Sequence, residues 1–260
     1  LGIPAEPLFR SLIAVFLLLT GTLTAQELLI GNHDVVRQSE YPKDAFLIEA
    51  DAQSFFRISG FNSTSTDHPL LGPAAVPDFE SIYFVKYDNE GTPLKSNFIR
   101  GTYYPVYAGS DGGGITIMAN ANQEVDANDG KPIAIPMNSN VEFIGNYDSD
   151  CQLERLINIW GLIDNQYVYS EAIMDPEDGS IYVYGDASMP LELADGGVIG
   201  TGQSNVYFYL IKYNHNLDRQ WVYQFGFDMA QSGTSPYFRK IQVFPGHEGG
   251  VLITGVYGTE

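Results

Sequence analysis

The chain has 260 residues, 44% hydrophobic and 13% aromatic, with 27 Gly and 14 Pro; this excludes a disordered polymer and favours strands joined by tight turns. A net charge of −19 repels phosphate backbones and anionic bilayers, which argues against nucleic acid as a partner. The single cysteine, Cys151, excludes an intrachain disulfide and a thiolate zinc cluster.

The first element is a segment to be removed. Residues 9–25 read FRSLIAVFLLLTGTLTA: a lone Arg10, an apolar run from Leu12 to Leu19, then small residues. This is the pattern of a secretory signal peptide over 1–25, with cleavage expected between Ala25 and Gln26. The run is too short to span a bilayer, so no membrane insertion is expected after cleavage. The segment carries one acid and one base, Glu6 and Arg10, so the remaining chain keeps its charge of −19.

From residue 26 onward one pattern recurs. Apolar runs begin at Phe55, Ile115, Ile181 and Val251, steps of 60, 66 and 70 residues. Between them, longer stretches end at Gly101, Gly161 and Gly226, following Tyr87, Tyr147 and Tyr213. Each period resolves into four short strands of alternating apolar and polar residues punctuated by Asp/Gly turns. The first period has strands near 44–50, 54–60, 82–88 and 94–101. The second has them near 102–108, 114–120, 140–147 and 153–161. The third has them near 167–174, 179–185, 205–213 and 219–226. The fourth contains only 237–244 and 250–256. Residues 27–31, ELLIG, match the ends of the fourth strands and read as an orphan fourth strand.

The expected fold is all-β: a β-propeller of four-stranded antiparallel blades, about three and a half of them present, as in a truncated fragment. The domain spans 26–260, with repeats near 44–101, 102–161, 167–226 and 237–260. The units Asp178–Gly185, Tyr83–Gly91 and Tyr209–Gly226 give D-x-x-G-x-I-Y-V-x-G, then F-V-x-K-Y-D-x-x-G, then a strand ending in Gly. This arrangement resembles the SBBP repeat of bacterial secreted and surface proteins, over roughly residues 40–260. The second period departs from it, with Gly145 and Asn146 in place of Val85–Lys86 and Ile211–Lys212. The resemblance implies a propeller, mostly non-catalytic, in a larger exported protein with further C-terminal domains.

No catalytic constellation is readable. His33, His68, His215 and His247 fall in separate loops at no ligand spacing. Asp126, Asn128 and Asp129 form half of a calcium loop without its distal acid, so no metal and no cofactor is expected. Carboxylates in YDNEG, MDPEDG and SDGGG are what tight turns demand. Cys151 falls in a hairpin turn, as an incidental thiol. Trp160 and Trp221 are placed at fourth-strand ends, where aromatics pack between blades. Asn62-Ser63-Thr64 is a glycosylation sequon that a bacterial chain does not use.

The long loops 61–81, 121–139 and 187–204 emerge on one face with the interblade segment 227–236. A protein or glycan ligand is therefore expected at Asp67, His68, Asp126, Asp129, Glu192 and Asp228. The functional expectation is a non-catalytic module of a secreted or surface protein, for adhesion, scaffolding or ligand display. The alternative is a polysaccharide-active propeller hydrolase, for which the first-strand starts supply one acid, Glu171. A quinone-dependent dehydrogenase is disfavoured, because only two repeats carry Trp.

Overall fold

The computed structural model describes residues 43–61, 81–102, 104–121, 124–127, 141–161, 168, 170–187, 189–200, 206–227, 236–245 and 250–259. The signal segment 1–25 and the orphan strand 27–31 lie outside them. The described residues are all β, and none of their elements is a helix.

Three four-stranded antiparallel sheets follow one another along the chain. The first contains β1 (Lys43–Asp51), β2 (Ser54–Phe61), β3 (Ser81–Asp88) and β4 (Pro93–Arg100), hydrogen-bonded in that order. The second contains β5 (Tyr104–Gly109), β6 (Ile115–Ala121), β7 (Val141–Tyr147) and β8 (Leu153–Asn158), again in chain order. The third contains β9 (Ser170–Met174), β10 (Ile181–Ala187), β13 (Val206–Tyr213) and β14 (Arg219–Phe227). Between β10 and β13 the chain makes an additional small ladder, β11 (Leu191–Glu192) with β12 (Val198–Ile199). A fourth, two-stranded sheet pairs β15 (Pro236–Pro245) with β16 (Val251–Thr259).

The strands fall close to the positions read from the sequence, with two corrections. The first strand of the third sheet is described over Ser170–Met174, within the expected 167–174. The stretch 187–204 is not a plain polar loop, because β11 and β12 bury Leu191 and Ile199. The glycines were misaligned in the third period. The β3–β4, β7–β8 and β13–β14 turns have equal length, and Tyr87, Tyr147 and Tyr213 pair with Pro93, Leu153 and Arg219. Equal spacing then puts Phe227, not Gly226, in the place of Gly101 and Gly161.

The core is built from side-chain alternation. On β10, Ile181 and Val183 point to one side while Tyr182 and Tyr184 point to the other. On β13, Tyr209, Ile211 and Tyr213 separate from Phe208 and Leu210 in the same way. Each interior sheet therefore has two apolar faces and packs on both neighbours. Phe56, Ile58, Ile82 and Phe84 of the first sheet meet Ile117, Ala119 and Phe143 of the second. Met118, Ile144 and Ile159 of the second meet Ile181, Val183 and Tyr209 of the third. Tyr182, Phe208 and Leu210 then meet Val243, Val251 and Ile253 of the fourth. Burying each such side chain contributes about 1.5–3 kcal/mol. The first strands β1, β5, β9 and β15 approach one another in succession.

Candidate functional site

Of the six residues expected to bind a ligand, Asp67, His68, Asp129 and Asp228 lie outside the described residues. The other two, Asp126 and Glu192, lie in corresponding loops of two successive seams, where Asp126 faces Arg100 and the neighbour of Glu192, Leu193, faces Trp160. The amide of Arg100 at the end of β4 donates to the Asp126 carbonyl at 2.8 Å, and the Asp126 amide donates back at 3.2 Å. Arg100 Nη1 also lies 3.5 Å from Asp126 Oδ2. One sheet later, Gly161 donates to the Glu192 carbonyl at 2.7 Å and Ala194 to the Ile159 carbonyl at 3.1 Å, around a bridge from Trp160 to Leu193.

In both seams a second-to-third-strand loop clips onto the outer strand of the preceding sheet. Val125 and Ala127 anchor one clip, and Leu191, Leu193 and Ile199 anchor the other, all buried. The clasp accounts for one of the recurrent glycines. At Gly101, with φ +89°, a Cβ would collide with the Glu124 carbonyl. At Gly161 a Cβ would make only ordinary van der Waals contact with Glu192, so the second clasp does not require glycine there. The structure thus places Asp126 and Glu192 in separate clasps. Asp126 spends its backbone and carboxylate on Arg100, whereas the Glu192 side chain stays exposed.

The opposite side carries the tight turns, and the first residue of each turns its side-chain oxygen onto the backbone. Asp88 Oδ1 accepts from the amides of Glu90 and Thr92. Asp148 Oδ1 accepts from Asp150 and Gln152, and Asn214 Oδ1 from Asn216 and Asp218. The fourth turn residue in each is left-handed: Gly91, Cys151 and Leu217, with φ of 83°, 61° and 59°. Cys151 and Leu217 hold this costly conformation because their side chains are buried between sheets. Burial pushes the Cys151 thiol up to about 11, so this thiol is packed rather than merely incidental. His215 lies exposed in its turn, as expected.

The turns also tie sheets together. Lys86 Nζ donates to the Gly113 carbonyl and Asn97 Nδ2 to the Cys151 carbonyl. Arg155 Nη1 reaches the Asn216 carbonyl at 2.6 Å and Asp218 Oδ1 at 2.7 Å.

Trp160 packs between sheets, as expected, edge-on to Tyr209 with centroids 5.1 Å apart. Trp221 does not. It sits near the start of β14 rather than at its end, and is 37% exposed beside Tyr182.

Sequence reading missed the most enclosed carboxyl group among the described residues. Glu142 on β7 is 1% exposed at the seam between the second and third sheets. Trp160 Nε1 donates to its Oε2 at 2.7 Å and the Ser170 amide to its Oε1 at 2.8 Å. Ser170 Oγ also bonds Oε2, and lies 2.8 Å from the Tyr209 hydroxyl. Loss of hydration raises the Glu142 carboxyl above its ordinary range, against these donors. Burial, then the charge of Glu142, raises Tyr209 well above a free phenol. The available signal was an acid on the strand face where the sister strands carry Ile82 and Phe208. Enclosed this way, Glu142 fastens three elements and faces no solvent.

Glu171 on β9 is exposed and accepts the Tyr184 hydroxyl at 2.8 Å. A shallow groove lined by Leu47, Ile48, Glu49 and Phe55 follows β1 and β2. Among the described residues, no group of three or more His, Cys, Asp and Glu is placed to hold a metal. No protein-family model matches the chain, and no curated protein matches it either.

Proposed function

We propose that the chain is a non-catalytic β-propeller module of an exported bacterial protein, displaying its loop face for adhesion, scaffolding or ligand binding. The observation that carries this reading is the pair of clasps at Arg100–Asp126 and Trp160–Leu193. They fix loops from successive sheets along one side of a stacked scaffold, the arrangement in which loops serve recognition. The succession of first strands and the resemblance to the SBBP repeat support the propeller. The signal-like segment 9–25 supports export to the medium or cell surface.

The test keeps the clasps and alters what they present. Leu191, Leu193 and Ile199 are retained, the exposed tip 194–198 is replaced by a Gly/Ser turn, and loop 61–81 is shortened in a second variant. Binding of the exported protein to host cells and to a glycan array is then measured. Loss of binding in either variant, with thermal stability kept, supports the reading. Unchanged binding in both rejects this face, and release of reducing sugar from a polysaccharide would install the hydrolase reading instead.

A further inference from the structure

Glu142 and the second clasp are built on the same residues. The Glu142 carbonyl accepts the Ile159 amide at 2.9 Å, and its carboxylate accepts the Trp160 indole. Ile159 and Gly161 in turn carry the backbone bonds to Ala194 and Glu192, and Trp160 bridges Leu193. The β11–β12 hairpin therefore hangs across the seam on the residues that Glu142 holds. Its other polar fastenings reach its own sheet. Arg219 Nε on β14 lies 3.1 Å from Asp195 Oδ2, and Gln224 Oε1 on β14 accepts the Gly200 amide at 2.7 Å. The hairpin is thus tethered to the third sheet and latched to the second.

The enclosed carboxyl can satisfy its neighbours in either charge state. Ionised, it accepts from Trp160, from the Ser170 amide and from the Ser170 hydroxyl. Neutral, it can donate to Ser170 Oγ, which then donates to the Tyr209 hydroxyl 2.8 Å away. The two states differ in the cost of dehydration. The Tyr209 phenol on β13 faces this network, with the Asp186 carboxyl of β10 acting on it from behind. Tyr107 on β5, Glu171 on β9 and Glu192 on β11 turn instead to the Met174 amide, the Tyr184 hydroxyl and solvent. Among the described residues no Lys or Arg acts on Glu142. Its ionised form is therefore a buried charge without a counterion. The first clasp has no such group. Register puts Ile82 at the place of Glu142 and Arg100 at the place of Trp160.

We propose that the β11–β12 hairpin is a proton-operated flap, latched across the seam by a neutral Glu142 and loosened when that proton leaves. The carboxylate recovers its hydration only if the seam opens beside it, which draws Trp160 and its bridge away from Leu193. Arg219 and Gln224 meanwhile keep the hairpin on the third sheet. The exposed tip 194–198 is then carried by one sheet instead of two. The flap needs only the seam, whatever its tip binds, so this inference and the adhesive role fail separately.

The test follows amide hydrogen exchange in the 260-residue protein from about pH 4 to about pH 8, corrected for the intrinsic rates. The Gly161 and Ala194 amides report the second clasp, and the Arg100 and Asp126 amides the first. Protection at Gly161 and Ala194 should fall by up to about tenfold per pH unit above the ordinary carboxylate value, then level off beyond the folded one. Arg100 and Asp126 should keep theirs, and Glu142→Gln should flatten the profile at the second clasp. The carboxyl carbon resonance of Glu142, read in the wild-type protein, should titrate where the protection levels off, which tests the latch even if the variant folds poorly. A flat wild-type profile at Gly161 and Ala194 overturns the proposal. So does an equal fall at both clasps, a slope that survives Glu142→Gln, or a carboxyl titration that does not coincide with the loss of protection.

Discussion

Glu142 shows how one residue can set a pH dependence without touching solvent. Its partners are neutral donors just beyond β8, on β9 and, through Ser170, on β13, so its charge is held by hydrogen bonds against the cost of dehydration. The folded-state pKa is raised above the unfolded one, so the folded protein holds this proton more tightly. Its contribution to stability is fully present below the ordinary carboxylate pKa and is lost as pH rises through the folded value. Glu142→Gln keeps an acceptor for Trp160 and removes the titration. Urea unfolding across this window should then show a flatter stability profile for the variant than for the parent. Glu142→Leu instead orphans the Trp160 and Ser170 donors and should cost about 1–3 kcal/mol for each. Cys151 makes a second prediction at this scale. Its buried thiol, pushed up to about 11, should resist a thiol reagent in the native protein and react promptly in urea. Rapid native labelling would show that the turn opens.

At the scale of elements, the repeated turn and the clasp divide the glycines into two kinds. Gly91 is a turn glycine with open space around its missing side chain. Gly91→Ala should therefore cost only the left-handed backbone, on the order of 1–2 kcal/mol. Gly101 is a clasp glycine, left-handed and pressed against the Glu124 carbonyl. Gly101→Ala must also displace the loop, and should cost on the order of 3 kcal/mol or more. Hydrogen exchange separates them: only Gly101→Ala should speed exchange at the Arg100 and Asp126 amides. Equal effects would mean the clasp contributes nothing. The strands and Asx turns were legible because alternation and Asp/Gly punctuation are local. The clasps were not, because they join residues about thirty positions apart through backbone atoms that any sequence supplies. The Gly226 misalignment has the same origin. A glycine was matched by proximity in sequence, while the register was set by the Tyr213–Arg219 pair. Asp126 was legible as a polar loop residue, but its engagement with Arg100 was not, and Glu142 was hidden because a single Glu in an apolar run has no motif.

For the whole molecule, the controlling feature is that, among the described residues, three core clusters each lie between successive sheets. Stability should therefore be a sum of sheets and nearest-neighbour seams rather than one indivisible quantity. The net charge of −19 opposes compaction throughout, so added salt should raise the urea midpoint by screening. The seams can be weakened one at a time. Phe84 is fully buried and meets Tyr147 edge-on at 4.7 Å, in the seam between the first two sheets. Phe84→Ala should cost about 3–5 kcal/mol there. If the seams are independent, exchange accelerates in β2, β3, β6 and β7 while β10 and β13, sealed by Tyr182, Phe208 and Leu210 against the fourth sheet, keep their protection. Uniform acceleration across all four sheets would show that they unfold as one unit, and that the stack is cooperative despite its local seams.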